Sequence, residues 1–241
     1  MYACFKLEKL LFKFNASLTT RIFRHKKQTI IKEKLKNYVI DSDTVNATEI
    51  QKDWFPEVSA DIFISHSHAD IKQVTKIADF LYEKLGLICF IDSYAWGYFN
   101  DLTNLLLEGE SLTLENVSYV SSNVHMMLSM ALSNMIDKCE CLIFYNTPNS
   151  LPINSYFHKT TSPWIYNELV ISKIIRRKSK AEHRMLLENF SKTASIVNKK
   201  FYYDVDMSHL NNITVKDFKS WIQYCPKKYN ALDKLYKMYN L

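Results

Sequence analysis

The segment Trp164-Ile165-Tyr166-Asn167-Glu168 places an indole and a carboxylate four residues apart. On a helix that spacing brings both to one face, one turn apart. A carboxylate beside an aromatic wall suits cleavage of an N-glycosidic bond to a cationic base such as nicotinamide. The transition state is an oxocarbenium-like sugar, which a nearby anion stabilises electrostatically. The leaving base is already positive and departs neutral, so no general acid is needed. Glu168 alone can then hold the ribose hydroxyls and the developing charge. The same two residues also fit a Trp that anchors a helix and a Glu in an exposed first turn, and spacing does not separate the two.

Ser65-His66-Ser67-His68 offers two hydroxyls and two imidazoles in one short run. They can donate and accept hydrogen bonds around a ribose or a nicotinamide. They equally fit a polar turn in which Ser67 or Asp70 caps the next helix. No second ligand pair has spacing that would complete a metal site on His66 and His68, so no metal is expected. Asp92 and Trp96, with Gly97, suit a flap over a substrate, a contact to a neighbouring subunit, or simple turn chemistry. Cys139-Glu140-Cys141 reads as alternation along a strand. Cys89 has no neighbouring His to activate it as a nucleophile, and His125 reads as a packing residue.

These residues need elements to position them. Residues 60–65 form a short apolar strand, and Ile71, Val74, Ile77, Ala78, Leu81 and Leu85 a helical stripe that stops at Gly86. Residues 87–91 form a second strand, so strand, helix and strand make one βαβ unit. The stretch 93–121 is less regular, with a polar insertion at 108–122. A strong helix starts at Ser122, and residues 141–145 form the next strand. After the loop 146–161, Ser162 as N-cap and Pro163 at the first helical position open a helix reaching about Arg177. A basic, poorly patterned stretch follows to about 195. Residues 201–205 read as a fourth strand, and Thr214 with Asp217 caps a later helix. A short helix is expected near 232–239. Alternating strands and helices imply a mostly parallel sheet covered on both faces. Ligands of such sheets bind outside the strands' carboxyl ends, which is where 65–70, 92–96 and 146–168 fall.

Composition removes several alternatives. The 241 residues contain three glycines, Gly86, Gly97 and Gly109, so no Gly-rich phosphate loop can be built. An odd count of five cysteines without C-x-x-C spacing fits reduced thiols and a cytoplasmic protein. Residues 1–36 carry a net +8, which against a whole-chain charge of +6 leaves −2 elsewhere. Leu7, Leu10, Leu11, Phe14, Leu18 and Ile22 recur at helical spacing, so 4–36 are expected to be helical. With the polar connector at 41–57, residues 1–57 read as a basic N-terminal extension ahead of a domain spanning 58–241. Lysines interrupt the apolar run that a signal peptide would need, and no run is long enough to span a bilayer.

Together these segments resemble a bacterial TIR (Toll/interleukin-1 receptor-like) domain. The stretch 61–70 resembles the family's first strand and loop, and 86–92 its second strand. Trp96-Gly97 falls in the loop used for assembly, and Trp164…Glu168 resembles the W-x-x-x-E element whose glutamate is catalytic in NAD-consuming members. The match covers roughly 60–206. The resemblance implies a flavodoxin-like fold, NAD⁺ as substrate rather than a bound cofactor, and nicotinamide as one product. It also implies ADP-ribose, a cyclic isomer or a related signal nucleotide as the other product, in anti-phage defence of the Thoeris type with a partner effector. Head-to-tail homo-oligomers through the loop after the second strand are implied too. Glu168 would be catalytic, with Ser65, His66, Ser67, Asp92, Trp96 and Trp164 around the substrate. The Pro-Gly motif of animal signalling TIR domains is absent between Tyr94 and Asp101, and 108–122 and 178–195 have no counterpart. A non-catalytic TIR scaffold and a nucleoside deoxyribosyltransferase-like N-glycosidase remain as alternatives, while nucleic-acid binding has little support.

Overall fold

The computed structural model describes residues 1–10, 39–41, 44–55, 57–91, 97–108, 111–151, 159–184, 203–204, 207–223, 227 and 229–241. Its centre is a parallel five-stranded sheet of β1 (Ala3–Glu8), β4 (Ile62–Ser65), β5 (Cys89–Ile91), β6 (Cys141–Asn146) and β9 (Asn211–Ile213), in the order β5-β4-β6-β1-β9. Two small ladders stand apart from it: β2 (Val39–Asp41) with β3 (Thr44–Val45), and β7 (Lys159–Thr160) with β8 (Tyr203–Asp204).

Helices cover both faces. On one lie α1 (Ala47–Trp54), α3 (Gly97–Leu106), α4 (Leu114–Lys138) and α5 (Pro163–Ile174), whose core takes in Cys4, Phe63, Phe90, Leu142 and Phe144. On the other lie α2 (Ile71–Leu85), α7 (Val215–Gln223) and α8 (Tyr229–Met238), packed on Phe5, Leu7, Ile62, Ile64, Ile143 and Tyr145. This split follows from strand pleating, which sends alternate side chains to opposite faces. A short helix, α6 (Lys180–Arg184), follows α5.

Several boundaries follow local chemistry. Gly86 closes α2 at φ 68°, a left-handed position where its lack of a Cβ removes the steric cost, and its N–H bonds the last helical carbonyls. Ser162 accepts from the Ile165 N–H at the start of α5, with Pro163 at the first position. Thr214 and Asp217 form a reciprocal capping box before α7.

Other expectations are corrected. Residues 4–8, which the leucine spacing assigns to a helix, are strand, and β1 lies inside the sheet between β6 and β9. The register Ala3↔Cys141 to Glu8↔Asn146 buries Cys4, Phe5 and Leu7, and that tertiary pairing overrides local helical spacing. Residues 11–38, the rest of that expected helix, lie outside the described residues. The connector holds α1, started by Asn46 and burying Ile50 and Trp54 in the main core, so this part of 1–57 belongs to the same unit. Most of the insertion at 108–122 is the start of α4, which Thr113 caps eight residues before the expected position. The described part of the expected fourth strand, Tyr203–Asp204, pairs with Lys159–Thr160, while β1 takes the place beside β6 in the main sheet.

Candidate functional site

Strands β4 and β6 are neighbours whose following segments lead to opposite faces, α2 on one and α5 on the other. Parallel sheets hold ligands outside the strand carboxyl ends where such a divergence occurs. The loops there are cross-braced. The Asp70 carboxylate accepts from the Thr147 hydroxyl and, at 2.8 Å, from the Asn149 amide. Leu10, just after β1, donates its N–H to the Tyr145 hydroxyl, and its carbonyl accepts from the Gln73 amide at 2.7 Å. Neither Ser67 nor Asp70 caps the following helix with its side chain; Asp70 serves the β6 loop instead.

On the first loop, Ser65 is 0% exposed, and among the described residues its hydroxyl has no hydrogen-bond partner. His66 is buried, with Nδ1 3.1 Å from the Ile64 carbonyl. A carbonyl can only accept, so Nδ1 carries a proton. Ser67 is half-buried, and its carbonyl accepts from the Asp70 N–H. Asp92 and Trp96 lie outside the described residues.

α5 brings Trp164 and Glu168 to its buried side with Ile165, Leu169 and Ser172. Glu168 is 0% exposed, not in the exposed first turn that spacing also allowed. The Trp164 indole stacks on the His125 imidazole at 5.7 Å between centroids and 14° between planes, and Phe99 meets the far side of His125 at 4.2 Å. Burial lowers the His125 pKa against a raising hydrogen bond to the Ser121 carbonyl, so the ring is a neutral wall near pH 7. The helix is fixed by Asn167, which donates to Ser129 of α4, and by Ser172, whose hydroxyl lies 2.8 Å from His209 Nε2.

One group was missed in the sequence. Lys6 and Glu8 of β1 form an ion pair at 3.2 Å, and Glu8 also accepts from Asn146 of β6 at 3.0 Å. Both alternate with Phe5 and Leu7, a period-two signal that could have revealed the strand. The buried Cys89 and Cys141 thiols are pushed well up by burial and stay protonated. Among the described residues no three His, Cys, Asp or Glu side chains group as a metal site, and no helix is long and apolar enough to cross a membrane.

α5 offers a buried carboxylate beside an aromatic wall, and β4 ends in a buried hydroxyl. Neither a family model, nor a curated protein, nor a solved structure matches this chain.

Proposed function

We infer that this chain is a TIR-like N-glycosidase that cleaves the nicotinamide–ribose bond of NAD⁺, with Glu168 as its catalytic carboxylate. The observation that carries the reading is Glu168 itself. It is a fully buried acid one turn from Trp164, on the helix entered from the β6 loop. The order β5-β4-β6 supports a flavodoxin-like arrangement, in which the first strand lies between the second and third. Here β1 fills the fourth place, a departure from simple chain order.

In the reaction the C1′–N bond breaks and its electron pair goes to the pyridinium nitrogen, releasing neutral nicotinamide. Glu168 holds the ribose hydroxyls and stabilises the positive charge left on the sugar. The Trp164–His125 stack walls the site with neutral rings. Water, or a nucleophile of the same nucleotide, then closes on C1′ to give ADP-ribose or a cyclic isomer. A signal nucleotide of this kind, read by an effector in anti-phage defence, and a homo-oligomer joined through residues 92–96, complete the proposal.

Mass spectrometry of NAD⁺ incubated with the purified protein tests it. Nicotinamide release that disappears in Glu168→Gln is expected. Undiminished release in a folded E168Q protein rejects the role of Glu168, and NAD⁺ left intact at every protein concentration favours a scaffold.

A further inference from the structure

Of all residues in the five strands of the main sheet, Lys6 and Glu8 are the charged ones. Strands of a parallel sheet covered on both faces ordinarily read as continuous apolar runs. Here a central strand carries a cation and an anion in its last three positions. Their side chains are only partly covered, 22% and 43% exposed, and charges inside a covered sheet are departures of the kind that concentrate at functional sites.

Position specifies what they face. Cys4 belongs to the core on the α4–α5 side, so pleating sends Lys6 and Glu8 to that side too. Lys6 pairs in register with Phe144, and Phe144 with Ser65. Ser65, Phe144 and Lys6 therefore form one row across three strands, on the face that α5 covers. The Cys4 thiol lies 3.9 Å from the Ser172 carbonyl of α5. α5 runs back toward the amino edge, where the Lys178 N–H bonds the Met1 carbonyl. From Cys4 to Lys6 the strand advances ~6.6 Å, and from Ser172 back to Glu168 the helix retreats ~6 Å. Lys6 and Glu168 are thus level above the sheet, and the unpartnered Ser65 hydroxyl is in the same row.

We propose that Lys6 is a substrate-binding residue of this site, holding a phosphate oxygen of the dinucleotide's diphosphate, with Glu8 and Asn146 setting the position of its ammonium. NAD⁺ brings two phosphate charges toward a site whose acid is Glu168, and a cation level with that acid offsets the repulsion. Lys6 suits the task as a flexible point charge with three donors, of which Glu8 engages one. The identity of the ligand rests on the glycosidase reading above; the anion site at Lys6 does not.

Binding separates the two. ADP-ribose, which has the diphosphate, and nicotinamide riboside, which has none, are titrated calorimetrically into the full chain carrying E168Q, with Lys6, K6M or K6R. K6M is expected to weaken ADP-ribose about tenfold or more and to change nicotinamide riboside by less than about twofold, the size of one charge-assisted bond. K6R keeps most of the ADP-ribose affinity. Unchanged ADP-ribose binding in K6M overturns the proposal. Equal weakening of both ligands overturns it as well, since Lys6 would then act through the fold. If the protein with Glu168 intact releases no nicotinamide from NAD⁺ while K6M loses ADP-ribose selectively, the glycosidase reading fails and the anion site stands. Absence of ADP-ribose binding to the Lys6 protein ends the proposal outright.

Discussion

The two edges of the sheet treat charge differently. At the amino edge, ions neutralise one another. Arg184 holds Glu140 through two nitrogens at 3.0 and 3.1 Å, and Asp233 at 3.0 and 3.2 Å. Burial works against the guanidinium's charge, but these carboxylates raise its pKa overall. Lys178 meets Asp137, and Lys138 meets Glu57. At the carboxyl edge the Lys6–Glu8 pair and the Asp70 carboxylate stand among hydroxyls, amides and imidazoles, with Ser65 unpartnered among the described residues and Glu168 buried. The first edge is arranged to hold the fold, and the second leaves donors and acceptors in place for something else to meet.

Substitutions at the two edges should therefore separate stability from activity. The largest effect is expected from Arg184→Met, which leaves Glu140, 4% exposed, without its partner. Stability should fall by about 3 kcal/mol or more, read by urea denaturation, with NAD⁺ turnover per folded molecule unchanged. Glu168→Gln should do the reverse, lowering nicotinamide release by ~10²-fold or more while the melting temperature holds. A matched loss of stability and turnover in both variants would erase the distinction between the edges.

Asp70→Ala cuts the brace between the β4 and β6 loops. It is expected to cost about 1–3 kcal/mol and, unlike R184M, to raise KM, because the loops at the candidate site lose their common anchor. The smallest effect concerns acid. Burial lowers the pKa of His125 and of His183 in the folded chain. Such rings bind protons more readily when unfolded, so stability falls as pH drops below the unfolded value of 6.5. The lowered carboxyls of Asp217 and Asp233 act only below their unfolded value of 3.8. Between these limits the loss reports the histidines together with the Met1 α-amino group, whose pKa burial lowers from 8.0 to about 5, and Glu182, held below its unfolded 4.5 by the Ser179 N–H. His125→Phe keeps a ring against Trp164 and should flatten part of the slope in melts between pH 6.5 and 4.5; an unaltered slope would assign it elsewhere.

The features legible in the sequence were those set by neighbours a few positions away. Gly86 ends α2 because only a short stretch of backbone decides it, and Ser162-Pro163 opens α5 for the same reason. The Trp164–Glu168 spacing correctly put both on one helix side, but burial of Glu168 depends on the elements packed against α5, α4 among them, which local pattern could not supply. β1 was the main misreading. Its Leu7 falls into a helical period with Leu10, Leu11 and Phe14, and what makes it a strand is a partner far along the chain. The polar roles of Ser67 and Asp70 were misplaced similarly, since Asp70 answers to Thr147 and Asn149.

That distant pairing bears on how the protein is made. Glu8 and Asn146 are 138 positions apart, and β9, on the other flank of β1, comes later still. Contacts so remote in sequence form late and slowly. During synthesis the first strand emerges long before either neighbour, with both of its hydrogen-bonding edges waiting. A ribosome-bound fragment that ends before β6 consequently has Lys6 but neither Glu168 nor Asn146, and the candidate site cannot assemble until the chain has grown past α5.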